Sequence, residues 1–149
     1  MTLSDDLAGK VALVTGAGGT MGRAVAQMLL DAGCRVAMID IRAEPMADLA
    51  RAAGDAGLAV ACDISDPMAV QTAHAHVVET LGDIDILINN AGILSNHKLE
   101  ATGLEEWRRV LGANLDGALF WAQAVVPAMK GRRWGRIINT SSLAAKTGG

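Results

Sequence analysis

The stretch "VALVTGAGGTMG", residues 11–22, decides the fold. Its first four residues are apolar on consecutive positions, as a strand buried on both faces requires. Glycines then interrupt it at 16, 18, 19 and 22, and beyond them the apolar spacing becomes helical. A loop running from strand into helix can bring backbone N–H groups up to a pyrophosphate at the helix N-terminus. Glycines permit the tight turn and clear side chains from the approach. Gly16, Gly18 and Gly22 are therefore candidate binding residues. The next apolar run, "RVAMID" (35–40), ends in Asp40, 18 residues after Gly22. A carboxylate there can accept hydrogen bonds from both hydroxyls of an adenosine ribose. The competing reading is a tight turn plus a helix-capping acid; loop and acid together favour the dinucleotide.

Asp40 also bears on which dinucleotide. A ribose 2′-phosphate beside it would meet like-charge repulsion in a partly desolvated pocket, which favours NAD. Arg42 is two residues on and is a cation that could rescue such a phosphate, so NADP stays open.

Outward from this unit the pattern repeats. Apolar runs recur at "LAVACD" (58–63), "IDILIN" (84–89) and "RIINTS" (136–141). Helical periodicity fills the intervals. In "TMGRAVAQMLLDAG", Met21, Val25, Met28 and Leu29 are expected on one buried face, with Gly33 just past the helix end. In "SDPMAVQTAHAHVVETLG", Asp66 can cap, Pro67 suits the first helical position and Gly82 ends the helix. The third interval, "GLEEWRRVLGANLDGALFWAQAVVPAMKG", is longer, with an expected stripe through Leu111, Leu115, Ala118, Ala122 and Val125. Strand–helix alternation with short connections predicts right-handed βαβ crossovers onto a parallel sheet. The expected architecture is an α/β, Rossmann-type doubly wound sheet of about five strands, order 3-2-1-4-5, in one domain over residues 1–149.

Composition removes several function classes. Half the 149 residues are hydrophobic (51%) and only 19% charged, which excludes a disordered chain. Net charge is −3 with both signs interspersed, so no basic stripe marks a nucleic-acid surface. "GALFWAQAVVPAM" is too short and too interrupted to span a bilayer, and "MTLSDDLAGK" lacks the apolar segment of a secretory signal. Cys34 and Cys62 have no metal-ligand spacing and are expected as reduced, buried thiols. A cytoplasmic location is the default. His74 and His76 are expected on a solvated helix face, and His97 as an incidental loop residue. The "GRRWGR" stretch (131–136) is expected as a cationic helix end, and Trp107 and Trp121 as packing or subunit-contact residues.

With these residues in place, the chain resembles the short-chain dehydrogenase/reductase family over its full length, of the simple dehydrogenase and 3-oxoacyl-carrier-protein reductase type. "TGAGGTMG" is similar to the family's Thr-Gly-x-x-x-Gly-x-Gly loop, which adds Thr20 and Met21 to the candidate cofactor site. "CDISD" looks like the segment in which Asp63 and Ile64 contact the adenine. "NNAG" (89–92) is highly specific to the family: the resemblance implies that Asn90, Ala91 and Gly92 pass beneath the cofactor ribose while Asn89 ties strands together. It also implies that Asn114 supports a catalytic water chain and that Ser142 holds the substrate oxygen. The implied reaction is hydride transfer between NAD(P) and a small alcohol or ketone, in an enzyme expected to be a homo-oligomer when complete.

Two departures qualify the resemblance. Thr20 stands where the pattern has its second glycine; its hydroxyl could instead cap the helix or bond a phosphate oxygen. The implied Tyr-x-x-x-Lys is absent, the 149 residues contain no tyrosine, and Lys146 is expected in a loop. The tyrosine would move the proton at the substrate oxygen. The expectation is therefore a cofactor-binding part, cut short at its C-terminus and inactive alone. The alternative is a non-catalytic dinucleotide-binding module or an inactive relic. An exposed fifth strand and an unpartnered long helix would favour self-association or marginal stability.

Overall fold

The computed structural model describes residues 6–143 and 146. The first unit is β1 (Val11–Thr15), α1 (Thr20–Asp31) and β2 (Arg35–Asp40). Next come a 3-10 turn at Glu44–Met46, α2 (Ala47–Ala53), β3 (Gly57–Ala61), α3 (Pro67–Leu81) and β4 (Ile86–Asn89). The third crossover is α4 (Leu104–Leu111), a π-helical turn at Gly112–Asp116 and α5 (Gly117–Arg132), leading into β5 (Arg136–Asn139). The strands pair in parallel in the order β3-β2-β1-β4-β5, the Rossmann-type arrangement that the alternation predicts.

Alternation along the central strands feeds two cores. Val11 and Leu13 of β1 join Leu87, Val77, Leu81, Trp121 and Val125 on the face covered by α3 and α5. Ala12 and Val14 face the other way, with Ala26, Met38, Met46 and Leu49 under α1 and α2. A central strand buried on both sides must be apolar throughout, which is why β1 reads as an unbroken run. β5 forms one edge of the sheet, with all four residues exposed.

The helix ends form where predicted. Gly33 takes φ +84° and donates to the Leu30 carbonyl, while Cys34 donates to Leu29. This is a Schellman closure that only glycine adopts without strain. The Asp66 side chain accepts from the Met68 N–H with Pro67 at the first helical position.

The helix faces depart from expectation. On α1 the fully buried positions are Gly22 and Ala26, whereas Met21 and Met28 are 62% and 71% exposed. Gly22 and Ala26 lie nearest the sheet, and Val25, Leu29 and Leu30 are partly buried against the same core, so of the expected stripe only the two methionines are exposed. In the third crossover Leu115 is 61% exposed, and the buried row of α5 is Gly117, Trp121, Val125 and Met129, with Ala118 and Ala122 only partly buried. The π-helical turn inserts an extra residue between α4 and α5, shifting the phase that a continuous helix would keep. The last three apolar runs also form shorter strands than their length suggests: Gly57–Ala61, Ile86–Asn89 and Arg136–Asn139.

Candidate functional site

The glycine loop is held from behind by one buried hydroxyl. Thr15 closes β1 and is 1% exposed. Its Oγ1 accepts the backbone N–H groups of Asn90 and Ala91, each at 3.0 Å, and donates to the Ile88 carbonyl at 3.5 Å. Asn90 reciprocates: its Nδ2 donates to the carbonyls of Thr15 at 3.1 Å and Gly16 at 3.5 Å. Loop and "NNAG" segment are thus one hydrogen-bonded unit at the carboxyl ends of β1 and β4, where open α/β sheets bind ligands. Sequence reading passed over Thr15, although a lone hydroxyl ending a buried run had to find partners.

Within the loop, Gly16 takes φ +67°, and a Cβ there would stand 2.8 Å from the Ala91 Cα. A Cβ on Gly22 would strike the Gly16 carbonyl and the Asn90 amide. The N-cap of α1 is Gly19, with no side-chain cap and no acidic residue in the first turn. The helix therefore presents its positive end and its first N–H groups without a competing carboxylate, as an anion site needs. Thr20 does not supply the cap considered for it. It is the first helical residue, one past the cap position, and exposed.

Asp40 closes β2 beside this loop. Its Oδ2 accepts the Gly18 N–H at 2.9 Å and its Oδ1 accepts the Ile41 N–H at 2.8 Å. Two backbone donors thus set the carboxylate's orientation, and each oxygen keeps a lone pair for a further donor. Two adjoining cavities share Gly16, Asp40, Ala91 and Gly92 as walls. One, of about 360 Å³, also touches Thr20, Met21, Gly22 and Asn90. The other, of about 170 Å³, is completed by Asp63, Ile64, Ile41 and Ala113. Every residue expected to bind cofactor lines one of the two except Gly18, which reaches them through its bond to Asp40. This fits a dinucleotide: a donor-rich loop, a fixed carboxylate and an apolar slot in sequence. A larger cleft, about 510 Å³ beside Trp134 and Arg136, lies at the opposite, amino end of β5. It is away from the ligand edge of such sheets.

Asn114 sits in the π-helical turn and clamps one residue. Its Oδ1 accepts the Ile93 N–H at 2.7 Å, and its Nδ2 donates to the Ile93 carbonyl at 2.9 Å. The following loop is also tied to α4. Arg109 donates to the Leu94 carbonyl at 3.3 Å and forks onto Glu106 at 2.7 and 2.9 Å. The Arg109 guanidinium, then the Ser95 hydroxyl, holds the Glu106 carboxyl down to about 2. His97 Nδ1 stands 3.8 Å from the same carboxylate.

Asn89 ties strands as expected, its Nδ2 donating to Asn139 Oδ1 at 2.9 Å across β4 and β5. Ser142 lies just past β5, exposed, and lines neither cavity, whereas Thr140 lines the larger one. Lys146 is helical rather than in the expected loop, donating its N–H to the Leu143 carbonyl. The remainder of the tail (144, 145 and 147–149) lies outside the described residues. Both cysteines are buried and unbridged, and burial pushes the Cys62 thiol up to about 11, which makes it inert. His74 is half-buried with its ring against the edge of Trp121 at 6.5 Å, not solvated. Desolvation there lowers its pKa. Trp121 is core and Trp107 is 56% exposed. Of the cationic stretch, Arg132 lies in the last turn of α5 as expected and also pairs with Asp83 at 2.6 Å. Among the described residues no helix is long and apolar enough to cross a membrane, and no cluster of metal-ligating side chains occurs.

A family model described as short chain dehydrogenase matches residues 10–149. The chain is 38% identical over 143 residues to a sorbitol dehydrogenase of Cereibacter sphaeroides, covering 95% of this chain and 56% of that protein. It is 40% identical over 142 residues to a D-threitol dehydrogenase of Mycolicibacterium smegmatis, covering 93% and 55%. Among solved structures, a 3-ketoacyl-(acyl-carrier-protein) reductase of Brucella melitensis complexed with NADH superposes with a TM-score of 0.88 at 34% identity. That match covers 95% of this chain and 60% of the reductase. The chain spans a little over half the length of these relatives.

Proposed function

Because this chain belongs to the short chain dehydrogenase family, we propose that it is the dinucleotide-binding part of an NAD-dependent oxidoreductase acting on a small alcohol or ketone. The reading rests on one observation: the glycine loop, Asp40 and "NNAG" converge on two adjoining cavities. The nicotinamide, when bound, accepts or donates the hydride. The chain's own residues would bind and orient it. The first N–H groups of α1, from Thr20 to Gly22, would hold the pyrophosphate over Gly16 and Gly18, and Asp40 would accept from the adenosine ribose hydroxyls. Asp63 and Ile64 flank the adenine, and Asn90, Ala91 and Gly92 form the floor. Asn114 fixes Ile93 and supports the water chain, and Ser142 orients the substrate oxygen. The relatives named for sorbitol, threitol and a ketoacyl group lend the substrate class.

Titration of the chain with NAD and NADP, followed calorimetrically, tests this. Asp40→Ala is expected to weaken NAD binding roughly tenfold or more, the loss of a charged hydrogen-bond acceptor. It should also reduce discrimination against NADP, whose 2′-phosphate no longer faces a carboxylate. Unchanged affinities for both cofactors would remove Asp40 from its role. The 149 residues contain no tyrosine, so the proton-transferring phenol implied by the resemblance is not among them. Binding without turnover is expected of this chain by itself. Alcohol oxidation that survives purification and disappears in Ser142→Ala would overturn that expectation.

A further inference from the structure

Arg23 follows Gly22 directly and is the sole cation of α1. Its guanidinium does not point toward the anion-accepting loop. Nη1 donates to Asp48 Oδ1 at 2.9 Å and to the Pro45 carbonyl at 2.9 Å, and Nη2 donates to Asp48 Oδ2 at 2.6 Å. This clasp joins the first turn of α1 to the turn connecting β2 with α2, the segment that begins at Asp40. The segment is anchored at its far end by Met46, which is fully buried. At its centre, Pro45 Cβ stands 3.2 Å from where a Cβ on Gly18 would be. The clasp therefore presses the Pro45 turn against the glycine loop, beside the carboxylate assigned to the ribose.

We propose that Asp48, acting through Arg23, is a specificity-determining positioning residue for the adenosine ribose. It holds the wall behind Asp40 closed and occupies the one α1 guanidinium that could otherwise meet a 2′-phosphate. This rests on the dinucleotide-binding reading above. A phosphate at the 2′ position needs both space and a cation; the clasp narrows the first and withholds the Arg23 guanidinium, leaving Arg42 as the other cation near Asp40. The pair is exposed, with side-chain accessibilities of 38% for Arg23 and 68% for Asp48. Such pairs add little to global stability, so breaking this one should alter ligand choice and leave melting unchanged.

The test uses two probes, ADP-ribose and its 2′-phosphorylated form, titrated calorimetrically into the chain at low and high salt. Asp48→Asn is expected to narrow the preference for ADP-ribose by about threefold to tenfold, mainly through tighter binding of the phosphorylated probe at low salt. Asp48→Glu, which retains the carboxylate, should restore most of the preference. An unchanged ratio in Asp48→Asn overturns the proposal while leaving the dinucleotide reading intact. A changed ratio accompanied by a lowered melting temperature that Asp48→Glu does not reverse also overturns it. If the wild-type chain binds neither probe, the dinucleotide reading fails and this inference falls with it.

Discussion

Gly22→Ala is expected to abolish measurable dinucleotide binding and to destabilise the chain by about 2–3 kcal/mol. The added methyl has nowhere to go. Its carbon would lie 2.7 Å from the Gly16 carbonyl carbon and 2.8 Å from Asn90 Nδ2, and it would overlap the Gly16 oxygen. Those atoms are backbone or are held by hydrogen bonds to backbone, so no flexible side-chain end can yield. Either α1 lifts from the loop or Gly16 is displaced, and both outcomes move the N–H groups that a pyrophosphate would use. Gly131→Ala is the control, because nothing lies within 4 Å of a Cβ there and it sits inside α5, where alanine is preferred to glycine. Urea unfolding and an NADH fluorescence titration on both variants decide the matter. NADH affinity in Gly22→Ala within about threefold of wild type would show that the loop is not the binding element.

Trp121→Ala is expected to cost about 3–5 kcal/mol, the range for emptying a large buried aromatic site. Trp121 heads the fully buried side chains by volume and packs beneath α3, with His74 against its edge. Trp121→Phe should cost far less than the alanine variant. Among the described residues the buried indole Nε1 meets no hydrogen-bond partner, so removing it deletes a desolvated donor and offsets part of the lost volume. Urea denaturation of the three proteins gives both differences. A loss below about 1 kcal/mol for Trp121→Ala would mean that α5 is not seated on the sheet as described.

Much of this architecture was legible because it is local. The unbroken apolar run of β1, Gly33 beyond α1 and the Asp66–Pro67 start of α3 each record a backbone requirement in one or two residues. Asp40 was legible for the same reason: its distance from the loop is set by one βαβ unit. The faces of α1 and α5 were not. Met21 and Met28 are larger and more apolar than Gly22 and Ala26, yet the small residues are inside because the helix approaches the strands closely. No periodicity rule contains that distance. The π-helical turn was equally hidden, since a single extra residue in "LGANLDG" changes which side chains of α5 meet the sheet and lets Asn114 reach Ile93.

The chain's own residues were enough to specify a parallel, doubly wound sheet, a donor-rich loop after its first strand and a carboxylate at the end of the second. These follow from burial, glycine stereochemistry and charge, which act within a few residues of one another. Packing between distant segments supplied the rest. Thr15 meets Asn90 and Ala91 across 75 and 76 positions, and Arg23 meets Asp48 across 25. Such bonds form only after β1 and β4 are neighbours and α1 lies beside α2. The loop is therefore written in "VALVTGAGGTMG", but its position against β4 and α2 is set by residues that fold against it.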